Sequence, residues 1–147
     1  MSADRKREAG AGKARVLIVA GSESDRAVVE KAEEVLREAG VGYRVEIASA
    51  HRTPERVAEL ARGAEKTGYG VVIAAAGLAA ALPGVVAAHT RLPVIGLPVG
   101  AGPLRGVDAL LAITMMPPGV PVAAVGIDNG ANAAHLALRI LGEAAGG

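Results

Sequence analysis

The sequence of 147 residues has no cysteine, phenylalanine or tryptophan, and only two tyrosines. Without cysteine, the chain can form no disulfide and can use no thiolate as a nucleophile or metal ligand. The apolar runs are short and are broken by glycine and proline, so we expect no membrane span. The length suits one domain, whose core has to be filled by close packing of small side chains.

Charged residues are scarce in the second half of the chain. Of the 31 lysine, arginine, aspartate and glutamate residues, 25 lie within residues 1–66. A small monomer must expose much of its surface to water. We therefore interpret the charge-poor half as a deeply buried region or, preferably, as a large interface in a homo-oligomer. The net charge of +1 favours neither nucleic acid nor an anionic membrane as a partner.

The first residues, MSADRKREAGAGKA, are polar and lack the apolar segment of a secretory signal. We expect a disordered arm over residues 1–14, a folded domain over 15–142 and a flexible tail over 143–147. A chain without cysteine is compatible with a reducing compartment, and we expect a cytoplasmic protein.

Short apolar runs alternate with stretches of helical periodicity. The predicted strands span residues 15–20, 43–48, 71–76, 93–98 and 121–127. The predicted helices lie at 28–39, 54–66, up to about 89, 104–115 and 132–141. This alternation predicts an α/β fold with a three-layer, doubly wound parallel sheet of the flavodoxin-like kind.

In such folds, ligands bind beyond the carboxyl ends of the strands. The segments after the five predicted strands are GSESD (21–25), SAHRTP (49–54), AGLAAALPG (76–84), PVGAGPLRG (98–106) and DNGANAA (128–134). They are polar or rich in glycine and alanine, and the topology brings them to one edge of the sheet. The sequence therefore predicts a ligand site there.

The segment GSESD has the features of a phosphate site. Gly21 permits a tight turn, Ser22 and Ser24 supply hydroxyls, and the start of the following helix supplies backbone N–H groups. The alternative is a plain helix cap made by one of the two serines. The segment is not a Walker A loop, because it lacks the Gly-Lys-Ser/Thr sequence.

The segment SAHRTP follows the neighbouring strand. Arg52 could contact the same phosphate through two charge-assisted hydrogen bonds, and His51 would then lie beside the substrate, suited to proton transfer near neutral pH. The alternative is a surface histidine next to a solvated arginine. Thr53 and Pro54 are suited to the N-cap and first position of a helix.

The other chemically active side chains favour structural interpretations. His89 and His135 lie on apolar helices, where packed or half-exposed histidines are common. Met115 and Met116 are interpreted as core fillers at a helix end, and residues 128–130 as a turn. No histidines or carboxylates have metal-ligand spacing, so we predict no metal.

Two other classes on this kind of fold are disfavoured. A receiver domain needs a phosphoacceptor aspartate at the end of the third predicted strand, where this chain has alanine. A flavin-binding domain usually stacks aromatic side chains on the ring, and this chain has only two tyrosines.

Taken in order, the segments GSESD, SAHRTP, AGLAAALPGVVA, LPVIGLPV, LRGVDALL and MMPPGVPVAAVGIDNGANAAHLALRIL resemble the PurE family over residues 15–141. That family comprises N5-carboxyaminoimidazole ribonucleotide mutases of purine (IMP) biosynthesis and related 5-aminoimidazole ribonucleotide carboxylases. The resemblance implies a flavodoxin-like fold, a homo-octamer with active sites where subunits meet, and no metal or organic cofactor. The proline after SAHRT favours the mutase over the carboxylase that uses CO2 directly.

The resemblance also implies the roles of residues in the site. His51 is expected to transfer protons. The residues expected to bind the ribonucleotide are Gly21, Ser22, Ser24, Asp25, Ser49, Ala50, Arg52, Gly77, Leu78, Ala79 and Leu82. Among these, Ser22, Asp25 and Arg52 would hold the phosphate and ribose. The loop that begins at Gly77 would hold the carboxylate or CO2 through its backbone N–H groups.

The chain departs from the usual family pattern where the base and carboxylate would bind. Ala81 stands where the family commonly has a second histidine, Gly100 and Ala101 replace polar residues, and Met115 replaces a glutamine. Three interpretations follow: an ordinary mutase, a paralogue acting on another carboxylated ribonucleotide, or an oligomer that binds ribonucleotide without turnover.

Overall fold

The computed structural model describes residues 7–9 and 13–143. The strands in this part of the chain are β1 Arg7–Ala9, β2 Val16–Ala20, β3 Tyr43–Ile47, β4 Val71–Gly77, β5 Val94–Val99 and β6 Ala123–Ala124. The α-helices are α1 Arg26–Glu38, α2 Pro54–Thr67, α3 Leu82–His89, α4 Val107–Thr114 and α5 Gly130–Ile140. Within these residues, no helix combines the length and apolar character needed to cross a membrane.

The strands form one sheet in the order β1-β3-β2-β4-β5-β6. Strands β2 to β6 are parallel, and β1 pairs antiparallel with β3. The five parallel strands have the flavodoxin-like order, in which the first strand lies between the second and the third. The predicted α/β class and doubly wound parallel sheet are therefore confirmed.

Helices cover both faces of the sheet. Helices α1 and α5 pack on one face, and α2, α3 and α4 pack on the other. Every residue of Val16–Ala20 and Val71–Ala76 is buried, because side chains alternate between two covered faces. These two adjacent strands form the centre of the core and fix the position of the loops that follow them.

Helices α1 and α5 approach so closely that their backbones are in contact. A Cβ atom on Gly130 would lie closer than 3.0 Å to the carbonyl oxygen of Val28. The buried side chains between the helices are small, with alanine at positions 32, 133, 134 and 137. Close packing of small residues thus replaces the aromatic side chains that the chain lacks.

The structure differs from the sequence prediction at the two ends of the sheet. Residues Arg7–Ala9 form β1, although we expected a disordered arm over 1–14. The last predicted strand, 121–127, is reduced to Ala123–Ala124, since Pro121 has no N–H to donate. The chain still follows β5 beyond β6, because the N–H of Asp128 donates to the carbonyl of Pro98 at 2.8 Å. The other residues of the predicted arm up to residue 12, and 144–147 of the predicted tail, lie outside the described residues.

Two helix starts also differ. Helix α4 begins at Val107 rather than 104, because Gly106 has a left-handed backbone with φ of 94°. Helix α5 begins at Gly130 rather than 132. The side chain of Asn129 caps it by accepting a hydrogen bond from the N–H of Asn132 at 2.9 Å.

Replacing glycine by alanine should lower the stability of the protein at the contact between α1 and α5 and raise it at an open helical position. We expect Gly130→Ala to lower the free energy of unfolding by about 1–3 kcal/mol, because the new methyl group overlaps the backbone at Val28. Gly63→Ala in α2 is the control: no atom lies within 4 Å of its Cβ position. We expect it to stabilise the protein by about 0.5–1 kcal/mol, since alanine favours a helix over glycine. Thermal denaturation at equal protein concentration measures both, and equal shifts of the two variants would contradict the prediction.

Candidate active site

A cleft of about 530 Å³ lies at the carboxyl edge of the sheet. The loops after β2, β3 and β4 form it, and Ala101 after β5 completes it. The residues that line it include all those predicted as site residues: Gly21, Ser22, Ser24, Asp25, Ser49, Ala50, His51, Arg52, Gly77, Leu78, Ala79 and Leu82. Ala76, Ala80 and Ala81 also line it. The structure thus brings the predicted set into one place, while the role of each residue stays a prediction.

The loop after β2 forms a compact turn of hydroxyl groups. Ser22 is the N-cap of a short 3-10 helix, Glu23–Asp25, and its Oγ accepts a hydrogen bond from the N–H of Ser24 at 3.2 Å. The hydroxyls of Ser22 and Ser24 lie 2.9 Å apart. Ser22 therefore caps the short 3-10 helix and not α1, and both serines also line the cleft, so a phosphate site here stays a prediction.

Asp25 is the buried carboxylate of the cleft. It is 5% exposed, and its Oδ2 accepts a hydrogen bond from the N–H of Ser22 at 3.1 Å. Burial raises the pKa of Asp25 above its ordinary value, while the hydrogen bond from Ser22 and the positive charge of Arg52 act in the opposite direction. Burial is the larger effect.

Arg52 links the loop after β3 to the loop after β2. Its Nη2 donates to the carbonyl of Gly21 at 3.3 Å, and its Nε lies 3.4 Å from the Oγ of Ser49. The guanidinium therefore lies beside the turn of Ser22 and Ser24. A guanidinium has five N–H donors, so most of them stay available to a ligand.

His51 lies exposed at the rim of the cleft. Within the described chain, its imidazole makes no hydrogen bond or ion pair. Thr53 occupies the N-cap position of α2 as predicted, but its side chain does not cap the helix. It instead hydrogen-bonds to Ser49 at the other end of the same loop.

The loop after β4 supplies the apolar wall. Leu78 and Ala80 have left-handed backbones, with φ of 56° and 40°, which side chains other than glycine rarely adopt. The N–H of Ala80 donates to the carbonyl of Gly77 at 3.0 Å and closes the turn. Ala81 follows at the start of α3. With only methyl groups at 79–81, this wall offers a ligand little beyond backbone polar groups.

The loop after β5 is held from the neighbouring strand. The N–H of Gly100 donates to Oδ1 of Asp128 at 2.8 Å, and a Cβ at Gly100 would come within 2.8 Å of the other carboxylate oxygen. Asp128 itself has a left-handed backbone with φ of 59°, as suits the predicted turn. This pairing of two loops holds Ala101 against the cleft, and no motif in the sequence indicates it.

The remaining predictions for methionine and histidine have mixed outcomes. Met115 is 78% exposed, so its interpretation as a core filler is wrong: α4 ends at Thr114 and directs it outward. Met116 is half-buried, and its sulfur lies 3.1 Å from the Cβ position of Gly84. His135 is exposed on α5. His89 is half-buried in a second hollow of about 360 Å³ between the ends of α2 and α3.

The described residues hold no group of three or more histidine, cysteine, aspartate or glutamate side chains that could bind a metal ion. The cleft therefore combines a polar side of hydroxyls, one carboxylate, one guanidinium and one imidazole with an apolar side of alanine and leucine. Such a site can hold an anionic ligand at one end and transfer a proton beside its apolar end.

Comparison with known proteins identifies the family. The family model described as AIR carboxylase matches residues 15–146. The chain belongs to this family. The N5-carboxyaminoimidazole ribonucleotide mutase of Pyrococcus horikoshii is 56% identical over 125 residues, which cover 85% of this chain and 71% of that protein. The enzyme of the same name from Thermotoga maritima is 54% identical over 128 residues, covering 87% and 75%.

Solved structures agree with this assignment. The crystal structure of Treponema denticola PurE superimposes with a TM-score of 0.78 at 33% sequence identity, covering 86% of this chain and 79% of that one. As a member of the AIR carboxylase family, the chain has its cleft at the carboxyl edge of a PurE-like sheet. The resemblance stated from its motifs is thereby confirmed.

The raised pKa of Asp25 predicts how stability changes with pH. When burial raises the pKa of a carboxyl in the folded state, folding favours its protonated form, so stability falls as pH rises from the ordinary value of 3.8 through the folded value. We therefore expect Asp25→Asn to raise the melting temperature at pH 7, because an amide avoids burying the charge. The difference should shrink as the pH falls towards 3.8.

Melting temperatures measured from pH 3 to pH 8, an ordinary range for carboxyl titration, test this prediction. Glu59→Gln, at an exposed carboxylate on α2, is the control and should follow the wild type at every pH. A difference in melting temperature between Asp25→Asn and wild type that stays constant with pH would contradict the prediction.

Proposed function

We propose that the protein is an N5-carboxyaminoimidazole ribonucleotide mutase. It moves the carboxylate of its substrate from the exocyclic nitrogen N5 to C4 of the imidazole, giving 4-carboxy-5-aminoimidazole ribonucleotide in purine (IMP) biosynthesis. The observation that carries the proposal is the convergence of His51, Arg52 and Asp25 in one cleft. Relatives 54–56% identical to this chain bear the name of this enzyme.

The polar side of the cleft binds the ribose phosphate in this proposal. The hydroxyls of Ser22 and Ser24 and the guanidinium of Arg52 donate to the phosphate, which neutralises the arginine. Asp25 accepts from a ribose hydroxyl, as its remaining carboxylate lone pairs allow. The imidazole base of the substrate then extends over Ala50 and His51 towards the loop that begins at Gly77.

His51 moves the proton in two steps. The bond between N5 and its carboxylate carbon breaks, its electron pair stays on the nitrogen, and His51 donates a proton there as CO2 forms. The C4 carbon then attacks CO2 with its π electrons, and His51 takes the proton from C4, which restores the aromatic ring. The proton that His51 gives in the first step returns in the second, so the reaction is balanced without a cofactor.

The apolar wall confines the CO2 between these steps. The backbone N–H groups of Leu78 and Ala79 are suited to its oxygens, whereas that of Ala80 closes the turn, and the alanine methyl groups exclude water. Keeping CO2 beside C4 turns its recapture into an intramolecular step, so the reaction needs no high concentration of CO2 in solution. Ala81 brings no imidazole to this wall, so His51 is the one titratable base assigned to the reaction.

The alanine wall is also what favours a second candidate. A cleft with a complete phosphate side and few polar groups opposite would suit a paralogue that acts on another carboxylated ribonucleotide. It would equally suit an oligomer that binds ribonucleotide without turnover. Both alternatives keep the phosphate contacts of Ser22 and Arg52. They differ from the mutase in what happens to the heterocyclic base of the bound ribonucleotide.

We also propose that the protein is a cytoplasmic homo-octamer with its sites where subunits meet. Helix α4 and the residues flanking it present a stripe of exposed apolar side chains spaced three or four residues apart. The stripe consists of Leu104, Val107, Leu111 and Met115, which are 51–78% exposed. An apolar stripe of this kind marks a protein interface, and it lies in the charge-poor half of the chain.

The mutase reaction can be followed in the reverse direction. Purified protein is incubated with 4-carboxy-5-aminoimidazole ribonucleotide carrying carbon-13 in the carboxylate, and NMR follows the label. We expect the label to move to N5. His51→Asn should slow the transfer about 100-fold or more, the range of a lost general acid–base.

His135→Asn is the matched control, because His135 is exposed on α5 and does not line the cleft. It should transfer the label at the wild-type rate. If the wild type binds the ribonucleotide but moves no label, the mutase proposal is wrong and one of the two alternatives takes its place.

The octamer proposal is tested at the centre of the apolar stripe. We expect Leu111→Asp to dissociate the assembly into smaller species, because a charge desolvated at an interface is strongly unfavourable. Leu111→Met keeps an apolar side chain of similar volume and should leave the assembly intact. Light scattering after size-exclusion chromatography gives both masses, and a wild-type monomer would refute the proposal.

A further inference from the structure

The loop that carries His51 and Arg52 is closed by a threonine side chain. The Oγ1 of Thr53 accepts from the N–H of Ser49 at 2.9 Å, and its hydroxyl donates to the carbonyl of Ser49 at 3.3 Å. The N–H of Thr53 donates to the same carbonyl at 2.8 Å. One side chain thus uses both its donor and its acceptor to join the two ends of a five-residue loop.

This arrangement differs from the usual use of a threonine at the start of a helix. A threonine at the N-cap normally accepts from an N–H in the first helical turn. In α2 no such bond forms, and Pro54 occupies the first helical position. The hydroxyl therefore acts on the loop before the helix and leaves the first turn of α2 without a side-chain cap.

The two functional side chains of the loop depend on this closure to different degrees. The guanidinium of Arg52 also contacts the carbonyl of Gly21 and the hydroxyl of Ser49. Among the described residues, the imidazole of His51 has no hydrogen-bond or ionic partner. The side chain of Arg52 is thus oriented by the hydrogen bonds of its own guanidinium. The orientation of the His51 side chain depends instead on the backbone conformation of the loop.

We propose that Thr53 is a positioning residue that orients His51 for proton transfer through its two side-chain bonds to Ser49. The proposal rests on the mutase function for its kinetic consequence. Thr53 itself lies outside the set of residues that line the cleft, so it acts through the loop and not on the substrate. Loss of its hydroxyl should disturb proton transfer more than phosphate binding.

Thr53→Val tests this separation, because valine has the shape of threonine but no hydroxyl. We expect kcat to fall roughly tenfold, since a catalytic group displaced by a fraction of an ångström loses much of its effect. KM should stay within about twofold of wild type, because Arg52 keeps its own anchors. Thr53→Ala lacks the same hydroxyl and is the second variant if valine impairs folding.

Two further variants separate positioning from a general structural effect. Thr53→Ser keeps the hydroxyl and should restore kcat. Thr67→Val is the matched control: the hydroxyl of Thr67 donates to the carbonyl of Gly63 at 2.7 Å near the other end of α2. Its loss should leave kcat unchanged. A serine variant as slow as the valine variant, or a rise in KM without a fall in kcat, would overturn the proposal.

An NMR measurement tests the proposal independently of activity. The chain has three histidines, so its imidazole ring carbons give few signals, and His51→Asn assigns that of His51. Thr53→Val should shift or broaden the signal of His51 while those of His89 and His135 stay in place. An unchanged His51 signal would refute the positioning role, whereas a shifted signal in a protein without mutase activity would refute only the mutase proposal.

Discussion

Close contact between backbones is the constraint on which this structure depends. The chain has no phenylalanine or tryptophan, and glycine and alanine lie beside the aliphatic core where its helices approach most closely. At Gly130, the backbone of α5 lies directly on the carbonyl of Val28 in α1. This contact joins the helix that follows the Ser22 turn to the helix that follows the turn at Asp128. The turn at Asp128 in turn holds the N–H of Gly100, next to Ala101 in the cleft, so this contact ties two sides of the cleft through a glycine that does not line it.

The two sides of the cleft are made rigid by different physical means. On the polar side, hydrogen bonds hold each loop internally, from Ser22 to Asp25 and from Arg52 to Ser49, and the bond from Arg52 to the carbonyl of Gly21 crosses from one loop to the next. On the apolar side, steric fit and the backbone of residues 77–81 hold the wall. Under the proposed function, a bound phosphate would replace some of the polar contacts, whereas a small neutral molecule such as CO2 would gain most from a wall that does not move.

The sequence predicts the parts of this architecture that follow from periodicity and topology. Alternating apolar runs and helices predict the parallel sheet, and the sheet then places GSESD and SAHRTP at one edge. The failures lie where a single backbone conformation or a side-chain bond decides. Nothing in AGLAAAL indicates left-handed backbones at Leu78 and Ala80, because these residues seldom adopt them. Likewise, a threonine before Pro54 indicates a helix cap, and only the structure shows that it bonds to Ser49.

The strands at the two borders of the sheet bear on how the protein avoids aggregation. An unpaired strand can recruit a strand from another chain, and proteins usually block such recruitment. Here the antiparallel β1 occupies the outer side of β3, which would otherwise be free. At the opposite border, β6 has two residues and follows a segment with three prolines between 117 and 121. Short pairing and prolines make that edge a poor template for a strand of another chain, so the formation of a continuous sheet between copies is disfavoured there.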